Sequence, residues 1–237
     1  MEGFDFPYRG QGTRITHHDP TQKFRKGDCN LLPDTNTIRT FFEQRAHNWD
    51  ETCTHDPKKI AAIVSLAGLH EGDRIVDIAC GTGILFDQLL SYAPSELVGL
   101  DLSPAMIAKA QEKFTDPRLR LLAQDFLEFE ETGFQLATLY SAYPHFPDKE
   151  RLARKLWEVL APSGRLMLAH SQSRHIINGR HDASLAKAIS VGLRPVNEES
   201  QVFSPYFELD ILADTPDFYI LSGTRRDTAV PLQAQNA

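Results

Sequence analysis

Carboxylates and imidazoles recur in this chain beside turns that could bring a ligand to them. Asp77 sits in the run Val76-Asp77-Ile78-Ala79-Cys80-Gly81-Thr82-Gly83. Its neighbours are apolar and β-branched, and a carboxylate in such surroundings is costly unless something pairs with it. Gly81 and Gly83 allow a sharp turn and leave no Cβ in the way of a ligand. Asp101 lies 20 residues after Gly81, at the end of the apolar run Leu97-Val98-Gly99-Leu100. A carboxylate there can accept both hydroxyls of a ribose through charge-assisted bonds of ~1.5–3 kcal/mol each. Further along come Gln124-Asp125-Phe126, then Tyr143 and His145 in a proline-flanked loop, then His170 and His181. Histidines are the natural proton acceptors near neutral pH.

The elements that must position these residues follow from pattern. Arg74 to Ile78, Leu97 to Leu100, Leu119 to Ala123, Phe134 to Ser141 and Arg165 to Ala169 read as strands. Helices are predicted between them. One runs from about Gly83 to Ser91. Another follows the Ser103-Pro104 cap, and a third opens at Asp148. Alternating strands and helices imply an α/β fold with a parallel sheet, where ligands lie at the carboxyl ends of the strands. That places Tyr143, His145 and His170 on one rim, with His181 close behind. Ahead of the first strand, Thr37 to Asp50 reads as one helix with Phe41, Phe42, Ala46 and Trp49 on its apolar face, and Asp56-Pro57 starts a second. His47, His55, His70 and His175 read as solvated. Ser184 to Val191 reads as a short helix, strands near Pro205 to Ala213 and Asp217 to Gly223 close the pattern, and the stretch from His181 to Tyr206 reads as otherwise short and poor in helix.

The glycine run and its downstream partners resemble the first motifs of the class I S-adenosylmethionine (SAM) dependent methyltransferases of the small-molecule type. The resemblance covers about residues 37 to 223 and implies a Rossmann-like doubly wound sheet, order 3-2-1-4-5-7-6, with an antiparallel last strand. It implies SAM as cofactor, contacted by Asp77, Ala79, Gly81, Gly83, Asp101, Leu102, Met106, Asp125, Phe126 and Tyr140. Asp101 would take the ribose, Asp125 the exocyclic amine of adenine, and Phe126 and Met106 the ring. The helix at 37–50 resembles a lid over the cofactor. The acceptor side would hold His145, Tyr143, His170 and His181 as catalytic candidates. The dinucleotide-binding alternative needs a small residue where Phe86 stands. Methylation of RNA or protein, and a non-catalytic SAM-binding subunit, remain the competing functions.

Composition bounds the rest. The chain has 237 residues and a formal net charge of -7, which disfavours a nucleic-acid backbone as main partner. Residues 1–35 read as an extended arm, 36–225 as the methyltransferase domain and 226–237 as a tail. His17-His18 in the arm read as surface histidines. The three cysteines, Cys29, Cys53 and Cys80, have neither metal nor redox spacing, and His145, His170 and His181 are too dispersed to be read as a metal site. No apolar run is long enough to span a membrane, and a cytoplasmic location is expected; a monomer or homodimer is expected as well.

Overall fold

The computed structural model describes residues 33–182 and 185–229, and the arm expected at 1–35 with its His17-His18 pair lies almost wholly outside them. Among the described residues seven strands and eight α-helices follow one another. In chain order they are α1 Thr35–Glu43, α2 Trp49–Thr52, α3 Pro57–Leu66, β1 Arg74–Ile78, α4 Phe86–Leu90, β2 Glu96–Asp101, α5 Pro104–Lys113, β3 Leu119–Ala123, β4 Phe134–Tyr140, α6 Lys149–Val159, β5 Leu160–His170, α7 Arg174–Asp182, α8 Val196–Phe203, β6 Phe207–Asp214 and β7 Tyr219–Arg225.

The strands form one sheet in the order β3-β2-β1-β4-β5-β7-β6. Neighbours from β3 through β5 are parallel, and β7 runs antiparallel to both β5 and β6. This is the expected Rossmann-like order. The sheet has a core on each face. On one side Ile75, Leu97 and Leu136 pack against Ile60, Ile63, Phe86 and Leu89. On the other Val76, Val98, Ala137 and Leu166 pack against Leu152, Leu156, Phe203 and Phe207. The two sets alternate along each strand, as the two-residue period of a pleated strand requires.

Phe86 occupies the space that a dinucleotide fold would give to a small residue. It fits because glycines surround it. A Cβ on Gly83 would stand 2.5 Å from the Phe86 ring, and one on Gly99 would stand 2.7 Å from the same ring. The helix here is shorter than its pattern suggests. Gly81 and Gly83 take φ of 56° and 90°, outside the α region, so the helix begins only at Phe86.

Two further expectations are corrected. The helix expected over 37–50 breaks after Glu43. Arg45 donates from Nη1 to the Phe41 carbonyl at 3.0 Å, and its own amide turns to the Phe42 carbonyl instead. The chain then passes through a single 3₁₀ turn, Ala46–Asn48, into α2. After His170 the chain enters α7, which Ser173 caps through its hydroxyl and carbonyl. Between His181 and Tyr206 lies α8, opened by Pro195 with Glu198 and Glu199 in its first turn.

Candidate functional site

A cavity of about 240 Å³ lies across the carboxyl ends of β1 to β4. Each strand end contributes a floor residue. Ala79 and Gly81 follow β1, Asp101 and Leu102 end β2, Gln124 and Asp125 follow β3, and Tyr140 and Ser141 end β4. Ala79 and Ser141 adopt φ of 53° and 57°, a left-handed conformation that costs a non-glycine residue roughly 1–2 kcal/mol. Strain of this kind is tolerated where a loop must present its backbone in one way. Met106 and Phe126 close one end, while α1 and α2 form the roof with Ile38, Phe42 and Trp49.

The roof is pinned to the glycine turn. Asp50 accepts from the Thr82 hydroxyl and, at 2.8 Å, from Lys113 Nζ. The Trp49 indole lies over Gly81, 3.9 Å from where a Cβ would stand. Phe42 and Trp49 meet edge to face, 5.6 Å between centroids. Of the apolar face expected on this helix, Phe42 and Trp49 line the cavity, and Phe41 and Ala46 do not.

Asp101 is 8% exposed. Its Oδ2 accepts from the Gly81 amide and its Oδ1 from the Ser103 amide, both at 2.8 Å. Burial pushes its pKa up to about 6, held back by those two amides. The carboxylate is ionised at neutral pH, and each oxygen keeps a lone pair for a ligand hydroxyl. Asp125 caps the following 3₁₀ turn through Oδ1, 2.9 Å from the Leu127 amide.

Two residues expected to touch the cofactor do not line the cavity. Asp77 is enclosed beneath it, with Oδ1 accepting from the Thr138 hydroxyl at 2.6 Å and Oδ2 without a partner among the described residues. Burial pushes its pKa up to about 7. Gly83 serves the packing of Phe86 and Phe114.

The four catalytic candidates separate. His145 lines the cavity, its Nδ1 3.0 Å from the Ile189 carbonyl and its ring edge-on to Phe42. Nδ1 thus carries the proton and donates it to that carbonyl, which leaves Nε2 as the acceptor. Burial lowers its pKa to about 4. His181 stands behind it, ring centroids 5.3 Å apart. Tyr143 turns away from the cavity. Fully buried, it donates to Glu199 Oε2 at 2.8 Å, under Lys149 at 3.5 Å from its ring. His170 is also buried, edge-on to Tyr219, with its pKa lowered by burial to about 3. Its place at the end of β5 does not bring it to the rim, because the cavity stops at β4.

Sequence reasoning missed His55 and Cys53. Both line the cavity. His55 Nδ1 is 2.7 Å from the Tyr140 hydroxyl, which is 2.7 Å from Ser171 Oγ, and His55 Nε2 is 3.4 Å from Cys53 Sγ. Nothing local signals a bond to a residue 85 positions away. Among the described residues no group of three or more His, Cys, Asp or Glu is placed to hold a metal, and no helix is long and apolar enough to cross a membrane.

The seven-stranded sheet in this order, with a crevice at the carboxyl ends of its parallel strands, is a Rossmann-like arrangement. Residues 75–164 match the family model described as a methyltransferase domain. Over 100 residues the chain is 39% identical to a demethylmenaquinone methyltransferase of Thermus thermophilus, covering 40% of this chain and 46% of the relative. Over 94 residues it is 40% identical to a trans-aconitate 2-methyltransferase of Deinococcus radiodurans, covering 39% and 36%. The chain spans about half the length of the first curated relatives it matches. The solved magnesium protoporphyrin IX methyltransferase of Synechocystis, with S-adenosylhomocysteine bound, superposes with a TM-score of 0.64 at 15% identity. That match covers 81% of this chain and all of the other, and it shares the fold.

Proposed function

We propose that this chain is a SAM-dependent methyltransferase acting on a small-molecule acceptor. The observation that carries the proposal is the crevice at the strand ends, with the Asp101 carboxylate held open toward it by two backbone amides. The residues present suit a nucleoside sulfonium. Asp101 offers acceptor lone pairs to ribose hydroxyls, Asp125 an acceptor to an adenine amine, and Met106 and Phe126 apolar surface to its ring. Curated relatives that act on demethylmenaquinone and trans-aconitate support a small acceptor.

Bound SAM would supply a methyl group activated on a positively charged sulfur. The chain's own part is orientation and exclusion of water. With the nucleoside over β2 and β3, its reactive end falls toward β4, where Tyr140, Ser141 and His145 meet the roof residues Phe42 and Cys53. Holding an acceptor in line there can supply ~7–11 kcal/mol of the barrier. Asp77 and the glycine turn support the floor. We place the enzyme in the cytoplasm, consistent with its cysteine usage.

Isothermal titration with SAM and S-adenosylhomocysteine tests the cofactor, with saturable binding expected. A screen of thiols, amines, phenols and acids for S-adenosylhomocysteine release tests the reaction. Binding without release from any acceptor would reduce the chain to a SAM-binding subunit, and no binding would refute the proposal.

A further inference from the structure

Resting on the methyltransferase reading above, we propose that His55 is the base that takes the acceptor's proton, oriented by Tyr140 and Ser171, and that the acceptor is an un-ionised hydroxyl on an apolar ring. His55 belongs to the segment between α2 and α3 and reaches Tyr140 at the end of β4, so the roof and the sheet meet at this bond. Ser171 and Tyr140 are both buried, which fixes the orienting pair. A base within hydrogen-bond reach of the reacting group and held by a third group is the arrangement that general-base catalysis requires.

The two ring nitrogens have different partners. In the tautomer this role requires, Nδ1–H donates to the Tyr140 oxygen, whose own proton goes to Ser171 Oγ. Nε2 then keeps its lone pair, toward Cys53. Burial raises the Cys53 thiol above its ordinary range, so it stays an S–H and donates only weakly across 3.4 Å. A stronger O–H donor in the cavity displaces it. The groups facing His55 are Cys53 beside it, Tyr140 of β4 and the Arg180 charge of α7; burial first and Arg180 second lower its pKa, so the ring is neutral and able to accept. His145 is the weaker candidate, since a proton there would face both His181 and Lys149.

The proton moves from the acceptor hydroxyl to His55 Nε2. The acceptor oxygen's electron pair forms the bond to the methyl carbon, and the carbon–sulfur electron pair stays with the departing thioether. The proton returns to water as the products leave. The ring expected of the acceptor follows from apolar residues among those lining the cavity, Phe42, Trp49, Ala142 and Phe146.

The test compares two probes at about pH 8, where phenol is neutral and thiophenol is an anion that needs no base. His55→Ala should lower S-adenosylhomocysteine release with phenol by ~100-fold and with thiophenol by less than about threefold. Added imidazole should restore part of the phenol rate. Tyr140→Phe, which keeps the ring and loses the orienting bond, should lower the phenol rate by ~10-fold with the same contrast. An equal fall with both probes, no fall with phenol, or turnover of thiophenol alone or of neither probe by the wild type overturns the proposal. SAM affinity, measured by titration in parallel, should stay unchanged in His55→Ala. A wild type that fails to bind SAM sinks the parent reading instead.

Discussion

Asp101 is the residue on which the proposed cofactor site turns, and Asp101→Ala measures it. Each of two ribose bonds to a carboxylate is worth ~1.5–3 kcal/mol, so losing both removes ~3–6 kcal/mol, or ~10²- to 10⁴-fold in affinity. Water entering the gap returns part of this, and the expected loss is at least ~tenfold. The same substitution acts on the empty protein in two opposed ways. The Gly81 and Ser103 amides lose their acceptors, at ~1–3 kcal/mol each. Against that, burial raises the carboxyl from an ordinary 3.8 to about 6, so its charge destabilises the folded state at neutral pH by roughly 3 kcal/mol. The sign follows from proton counts. Between the two pKa values the folded state holds the extra proton, so stability falls as pH rises through that window, and removing the carboxylate removes this loss. The two effects are of similar size, so the fold is retained, which circular dichroism checks. SAM affinity in the wild type should also fall as pH drops through about 6, because the protonated carboxyl loses its acceptor charge, and the variant should lack that step. Titration calorimetry between about pH 5 and 8 reads both. An affinity unchanged within about twofold, or the same pH step in the variant, would refute the ribose assignment.

Three further outcomes are expected. His145→Ala should reduce turnover more than SAM affinity, since His145 stands at the proposed acceptor end; equal steady-state activity would remove it from the site. Tyr143→Phe should leave SAM affinity unchanged and lower stability by ~1–3 kcal/mol, read as a urea midpoint, because buried Glu199 loses a donor. Burial pushes the Glu199 carboxyl up, but Arg194 and Tyr143 outweigh it and hold the pKa below its ordinary 4.5. The stability they contribute is therefore present above that range and lost as pH falls through the folded value, and a midpoint independent of the substitution would contradict this. Gly99→Ala should destabilise by ~1–3 kcal/mol, since its Cβ would press on Leu121 and Phe86 at 2.7 Å; an unchanged midpoint would mean the two side chains yield freely.

The chain's pattern by itself determined the sheet and one half of the cavity. Five apolar runs separated by capped helices admit few arrangements, and the turn at Gly81, with Asp101 twenty residues on, places a carboxylate beside a backbone crevice. Those are local facts, written in residue type and short spacing. What pattern could not decide is which way a side chain at a strand end points. Tyr143 and His145 lie two residues apart in one loop, yet Tyr143 turns into the core to Glu199 of α8 while His145 turns to the cavity. His170 ends a central strand and is sealed against Tyr219. His55 reads as solvated until Tyr140 comes within 2.7 Å of it. In each case the partner is dozens of residues away, and only the packed sheet brings the two together. Tertiary contact, by choosing that partner, decided whether a polar group became part of the scaffold or part of the site.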